Sequence, residues 1–362
     1  MKITFLINTL KVGGAAKMIK YVANIATEIF DKVSIISMYD DSYNEKDLND
    51  DIDIICLGFE NVNRFKRQFI MVSQTKAIIE KERPDFVCSF ISHVCFIGRL
   101  ATLNNKNIIY ISAERGDPFT ESFLWKKLIK WTYKNSDFCF FQLDKARDFF
   151  GSEVAEKSFV IPNPFIPTDN IEPYNGVRRK TIISAGRFAK EKCYDILIDA
   201  FAIVLKKHPD YQLILCGDGP MLSEYKKQIA NLKIQDNVIF PGYVKSVSKA
   251  VRGEGIFVLS SLYEGIPNSL IEAMSVGIPC ISTDCSPGGP AFLFNNETRG
   301  MLVPTRNVNA MTEALLELIE NSNRAKNYGQ KALEVIEELN EKKIRMKWES
   351  VFEQIIKKYT NV

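Results

Sequence analysis

Histidine occurs only twice in the 362 residues, and the eight cysteines form no Cys-x-x-Cys pair. Both scarcities argue against a metal centre, and Cys56, Cys88, Cys95, Cys139, Cys193, Cys216, Cys280 and Cys285 read as reduced core thiols of a cytoplasmic protein. Charge of one sign is also lacking: 47 basic against 44 acidic residues leave +3, too little to argue for nucleic acid. No apolar run is long enough to span a bilayer, since the longest, Cys88 to Leu103, is interrupted by His93 and Arg99. The opening MKITFLINTL is expected to be a strand, being too short and too soon polar for a leader peptide. Neither a solenoid-length repeat nor a low-complexity segment is present. An Asp-x-Asp pair at a strand end, which would hold Mg²⁺, is missing as well. The one match, Asp51-Ile52-Asp53, opens a strand instead.

What is present is a globular composition, 46% apolar with 24 phenylalanines, and a length sufficient for two domains with a core each. Short apolar runs alternate with amphipathic stretches. The runs are Ile3 to Ile7, Val33 to Met38, Ile52 to Cys56, Phe86 to Phe90, Ile108 to Ser112 and Phe138 to Gln142, and helices are predicted over Gln68 to Lys81, from Val94, and over Phe119 to Lys134. Such alternation predicts a parallel sheet with helices on both faces and a ligand at the carboxyl ends of the strands. Gly13 and Gly14, between the first strand and its helix, would turn helix amides toward a phosphate. They fall short of the full dinucleotide fingerprint, yet Asp40 and Asp41 after the next strand keep a dehydrogenase-like site open. His93 stands at a strand end as a candidate sugar or phosphate contact, with a capping or core role as the alternative. Glu114 to Pro118 (ERGDP) stands at another and either faces the same cleft or is a plain polar loop.

Three prolines in IPNPFIP, Ile161 to Pro167, end the first alternation, and a linker is expected over about 162–178. The expected division is an N-terminal Rossmann-like domain, 1–165, and a C-terminal one, 179–341. The last amphipathic stretch, about 342–362, returns as a helix to cover the first domain. In the second alternation, glycine turns follow most strands: Gly186, Gly217 with Gly219, Gly242 and Gly265. Arg187 and Lys192 (GRFAKEK) follow the first of these, and two cations beside helix amides suit a diphosphate. Glu264 and Glu272, in EGIPNSLIEAM, straddle a strand-to-helix turn with the helix beginning near Pro267. Glu264 can accept bonds from sugar hydroxyls and Glu272 from a ribose diol, so the four charged residues describe a nucleotide-sugar pocket. Each of them alone would be an ordinary surface residue.

A different signal lies in two basic aromatic segments, Arg64–Arg67 and Trp125–Lys134 (WKKLIKWTYK). Lysines opposite tryptophans suit an anionic membrane surface, and a solvated lysine face over core aromatics is the alternative.

These pieces resemble glycosyltransferase family 4, retaining enzymes of the GT-B fold. The resemblance is carried by Val12-Gly13-Gly14-Ala15, GRFAKEK, CGDGP from Cys216, FPGYV from Phe240, EGIPNSLIEAMSVGIPCIST from Glu264 and RGMLVP from Arg299, in the family's order over nearly the whole chain. SAERGDP, Ser112 to Pro118, resembles the Ser-Glu-Arg loop of bacterial polysaccharide and glycan-assembly members. Departures are Ala16 and Lys17 where Glu-Arg is usual, and Ala291 and Phe292 where Arg-Glu is common. The resemblance implies two parallel-sheet Rossmann-like domains facing across a cleft, the first binding acceptor and the second binding donor. It implies that Arg187 and Lys192 bind the donor diphosphate, that Glu272 holds the ribose, and that Tyr243 and Val244 meet the base. Glu264 and the backbone of Gly265, Ile266, Pro267, Asn268, Ser269 and Leu270 would hold the sugar, Gly14 would close on the phosphate, and His93 would contact the sugar. The implied reaction moves a hexose or N-acetylhexosamine from a UDP-sugar to a glycan, in one extension lipid-linked, without metal or cofactor, in the cytoplasm or at the inner face of the membrane. A GT-B epimerase, with Glu114 or Asp117 as an acid, and a catalytically silent sugar-binding subunit are the rivals.

Overall fold

The computed structural model describes every residue except 12, 40–46, 60–63, 168–170 and 361–362, with the backbone alone at 64–66. Val12, Asp40, Asp41 and the side chains of Arg64 and Lys66 therefore lie outside the described residues. The chain forms two compact units, Met1–Asn163 with Lys342–Val362, and Pro164–Glu341.

In the first unit, seven parallel strands lie in the order β3-β2-β1-β4-β5-β6-β7. They are β1 (Lys2–Ile7), β2 (Lys32–Ser37), β3 (Ile52–Cys56), β4 (Phe86–Phe90), β5 (Ile109–Ala113), β6 (Phe138–Phe141) and β7 (Ser158–Val160). Central strands such as β4 (FVCSF) are buried at every position because helices cover both faces, and this is why they read as continuous apolar runs. The edge strand β7 has no counterpart in the sequence reading. Its three half-buried residues are too few to show a period.

The helix predicted over Phe119 to Lys134 is broken in two. Asp117 caps a single 3₁₀ turn, Pro118–Thr120, and the α-helix starts afresh at Phe123, where Ser122 accepts the Trp125 amide. The C-terminal helix, Glu341–Thr360, returns to the first unit and buries Ile344, Trp348, Val351, Phe352 and Ile355 in its core. Trp348 meets Phe140 edge-on at 5.0 Å, and Phe352 meets Phe30 at 5.5 Å. Each fully buried side chain of this size contributes about 1.5–3 kcal/mol, so the helix is an integral part of that core.

The second unit has six parallel strands in the order β10-β9-β8-β11-β12-β13. They are β8 (Thr181–Ala185), β9 (Gln212–Cys216), β10 (Val238–Gly242), β11 (Ile256–Leu259), β12 (Cys280–Thr283) and β13 (Met301–Val303). The described part of the stretch expected as a linker, 164–178, is bound to this unit. Phe165 donates to the Leu339 carbonyl, Tyr174 to that of Val276, and the Arg178 guanidinium to those of Gly277 and Glu254. Arg299, first residue of RGMLVP, is structural: its buried guanidinium forks onto Glu334 and Glu338 and fastens the helix Glu334–Glu338 beside β13. Seven of the eight cysteines are buried and none of the eight is in a disulfide, consistent with core packing. Cys56 alone is exposed.

Candidate functional site

At the carboxyl ends of β8, β9 and β10 the loops are stitched together through their backbones. Gly186 donates to the Cys216 carbonyl at 3.0 Å, Gly217 to that of Gly242 at 2.8 Å, and Phe188 to that of Asp218 at 2.9 Å. Gly217 has φ +150°, and a Cβ there would stand 2.0 Å from the Gly186 oxygen. Packing of loop on loop thus accounts for this glycine without any ligand.

Arg187 leaves this seam directly after β8 and is exposed, and no hydrogen bond or ion pair to its side chain is seen among the described residues. Five residues on, Lys192 ends a short 3₁₀ turn, Lys190–Lys192, and is largely buried. Its ammonium forms an ion pair with Glu264, which comes from the loop after β11. Two further bonds join the same loops: Ser260 Oγ donates to the Lys192 carbonyl at 2.7 Å, and the Leu262 amide to the Glu191 carbonyl at 2.7 Å. The pair therefore belongs to a joint between two strand ends.

One carboxylate oxygen of Glu264, Oε1, accepts both the Lys192 ammonium and the Ser261 hydroxyl, the latter at 2.7 Å. The Glu264 amide donates to the Ser286 carbonyl at 2.8 Å. Behind it, Gly289 approaches so closely that a Cβ would fall 1.6 Å from the Gly265 oxygen. Ser261 and the Ser286 to Gly289 loop were not singled out as site residues, and their only sequence signals are a serine pair closing β11 and a Pro-Gly-Gly run.

The helix after the turn, Asn268–Met274, begins one residue past the expected Pro267. Ile266, Pro267 and Leu270 are buried, and the Leu270 amide donates to the Pro267 carbonyl at 3.1 Å, so it is used within the turn. Asn268 and Ser269 remain partly exposed. Glu272 also serves the fold, because its Oε2 accepts the Val247 amide at 2.9 Å and, with Ser246, caps the helix Val247–Val251. This bond ties the EGIPN helix to the loop that carries Tyr243, 78% exposed, and Val244, half-buried. Arg187, Lys192, Glu264 and Glu272 are thus all on the carboxyl-end loops, or the first helix beyond them, of one sheet.

Gly13, Gly14 and His93 belong to the first unit. Gly13, with φ +125°, starts the helix Gly14–Ala26, and a Cβ on either glycine would meet nothing within 4 Å. His93 lies in the first turn of the helix Ser92–Thr102, half-buried, with its ring 5.3 Å from that of Trp125. Burial lowers its pKa below the ordinary value, which keeps the imidazole neutral near pH 7. Just before it, Ile91 takes φ +75°, a strained conformation for a β-branched residue.

Glu114 is buried rather than facing a cleft. Its carboxylate accepts from Ser92 Oγ, from Tyr133 Oη at 3.1 Å and from the amides of Arg115 and Gly116. Burial pushes its carboxyl up and those donors pull it back. Arg115 is buried too, its guanidinium 5.4 Å from the ring centroids of Phe90 and Trp348, and desolvation lowers it to about 10. Asp117 caps the Pro118–Thr120 turn. The epimerase alternative loses the free acid it required from Glu114. Among the described residues no group of three or more His, Cys, Asp or Glu side chains is disposed to hold a metal.

Residues 169–335 match the family described as glycosyl transferases group 1. An uncharacterized glycosyltransferase of Methanocaldococcus jannaschii is 28% identical over 300 residues, covering 72% of this chain and 73% of its own length. The poly(ribitol-phosphate) alpha-N-acetylglucosaminyltransferase of Staphylococcus aureus is 30% identical over 198 residues, which are 54% of this chain and 40% of that one. Among solved structures, Anabaena HepE in complex with UDP-glucose superposes with a TM-score of 0.78 at 16% identity, covering 98% of this chain and 100% of that one. At that identity the likeness speaks for the GT-B fold alone.

Proposed function

We propose that this chain, a glycosyltransferase of group 1 by its match over residues 169–335, transfers a hexose or N-acetylhexosamine from a UDP-sugar with retention of configuration. The observation that carries the proposal is the clustering of an exposed arginine, Arg187, with the Lys192–Glu264 pair and Glu272 around one set of strand ends. Arg187 and Lys192 neutralise the diphosphate as it departs, and Glu264 and Glu272 accept hydroxyl bonds from sugar and ribose. The acceptor hydroxyl attacks on the face the diphosphate leaves, the leaving phosphate takes its proton, and the protein works by positioning and electrostatics. The similarity to a relative named as an N-acetylglucosaminyltransferase, that of S. aureus, supports an N-acetylhexosamine as the transferred group.

The acceptor is a bacterial surface glycan or its lipid-linked precursor, bound by the first unit. Incubation with UDP-glucose, UDP-galactose and UDP-N-acetylglucosamine should release UDP with at least one of them, and activity should survive EDTA. A loss that Mg²⁺ restores would contradict the metal-independent reading.

Peripheral contact with an anionic bilayer completes the proposal. No helix among the described residues is long and apolar enough to cross a membrane. The helix Phe123–Lys134 nevertheless exposes Phe123 (76%) and Leu124 (69%) beside Lys127 and Lys130. Lys134 is already paired with Glu153 at 2.9 Å. Each lysine at an anionic surface contributes about 1 kcal/mol. Changing Phe123 and Leu124 to Ser and Lys127 and Lys130 to Gln should weaken binding to phosphatidylserine vesicles about tenfold or more in a flotation assay at low salt. Undiminished binding would make this face an ordinary solvated one.

A further inference from the structure

Counted as charges, the donor site is balanced. The cations of Arg187 and Lys192 are matched by the carboxylates of Glu264 and Glu272, and Lys192 is already committed to Glu264. A site built only to grip a diphosphate would keep both cations for it. Glu264 is held in place on three sides, by Lys192 and Ser261 at the same carboxylate oxygen and by Ser286 at its amide. Its other oxygen has no hydrogen-bond partner among the described residues. With Ser261 still bonded to it, the carboxylate stays beside Lys192 when an anion arrives, and the anion shares Lys192 with it.

The sharing acts differently on substrate and product. An intact nucleotide-sugar brings hydroxyls that can donate to the unused oxygen of Glu264, which turns the carboxylate into a favourable contact. The nucleoside diphosphate left after transfer has lost those hydroxyls and has gained a terminal phosphate charge, whose second ionisation lies near pH 6. It meets the same carboxylate as an unrelieved like charge beside a half-neutralised lysine. We propose that Glu264 competes with the product diphosphate for Lys192, so that one side chain favours the donor and expels the spent nucleotide. The inference rests on the donor-site reading given above.

Its test is calorimetric titration of UDP, ADP and GDP into the wild type, Glu264→Gln, Lys192→Gln and the double variant, together with product inhibition of donor turnover. The glutamine side chain still accepts from Ser261, so the fold is kept, and a thermal melt verifies it. Glu264→Gln should bind the preferred diphosphate about tenfold more tightly, the order expected for removal of a close carboxylate. Its turnover should be inhibited at correspondingly lower diphosphate concentration, even though transfer itself is slower. Lys192→Gln should bind it more weakly, and adding Glu264→Gln to that variant should change little, because the coupling between the two is gone. Unchanged or weaker diphosphate binding by Glu264→Gln, with Lys192→Gln still weakened, would overturn the competition and leave the donor site standing. Failure of the wild type to bind any of the three diphosphates would overturn both.

Discussion

Replacing Lys192 with alanine should lower kcat/KM for sugar transfer about 10- to 150-fold, the range that corresponds to roughly 1.5–3 kcal/mol for a charge-assisted contact. Two losses combine in this variant. The departing diphosphate loses a cation, and the largely buried Glu264 keeps only the Ser261 hydroxyl. An Arg187→Ala variant loses a cation alone, since that residue is exposed and nothing in the described structure leans on its side chain. Lys192→Ala should therefore be the more damaging of the two in steady-state kinetics. Turnover equal to that of the wild type would remove Lys192 from the site.

The second large effect is expected at a residue that touches no substrate. A Cβ at Gly289 would stand 1.6 Å from the carbonyl oxygen of Gly265 and 3.2 Å from the Ile266 Cα, both in the turn that carries Glu264. These are backbone atoms, so no rotamer change relieves the clash and the turn itself must move. Gly289→Ala should cost about 1–3 kcal/mol in urea unfolding, as overpacking of a filled interior does. It should also weaken UDP-sugar binding, because displaced backbone carries Glu264 away from Lys192. A variant with wild-type stability and wild-type affinity would show that the approach of the two loops does not set the turn.

Most of the fold was legible because both sheets are parallel and covered on two faces. Strands of that kind are buried at almost every position and therefore mostly apolar, and their helices carry the 3.6-residue period, so β1, β4, β8 and β11 could be found from pattern alone. The edge strand β7 and the break at Ser122 escaped for local reasons. One is three residues long, and the other is set by caps placed inside an unbroken amphipathic stretch.

The candidate site was legible to a lesser degree. Charged residues after strand ends could be picked out, and the structure places Arg187, Lys192, Glu264 and Glu272 beyond the carboxyl ends of the central strands β8 and β11. What pattern could not supply was what each residue is already bonded to. Glu272 caps the helix at Val247, Lys192 is committed to Glu264, and Gly217 is required by the Gly186 carbonyl. In the first unit, the sequence leaves Glu114 and Arg115 either facing a cleft or in a plain polar loop, and both are buried instead. Glu114 is bonded by Ser92 and Tyr133, and Arg115 lies by the aromatic rings of Phe90 and Trp348 and donates from one nitrogen to Ile161 and Asn163, partners far away in sequence.

Calorimetric titration of UDP-glucose, UDP-galactose and UDP-N-acetylglucosamine into the wild type and an Arg187→Ala, Lys192→Ala double variant tests the donor site most directly. At least one of the three should bind the wild type, and the double variant, melting at the same temperature, should bind it about a hundredfold or more weakly. Equal affinity in the two proteins, or no binding to the wild type, would contradict the assignment of these strand ends to a nucleotide diphosphate sugar.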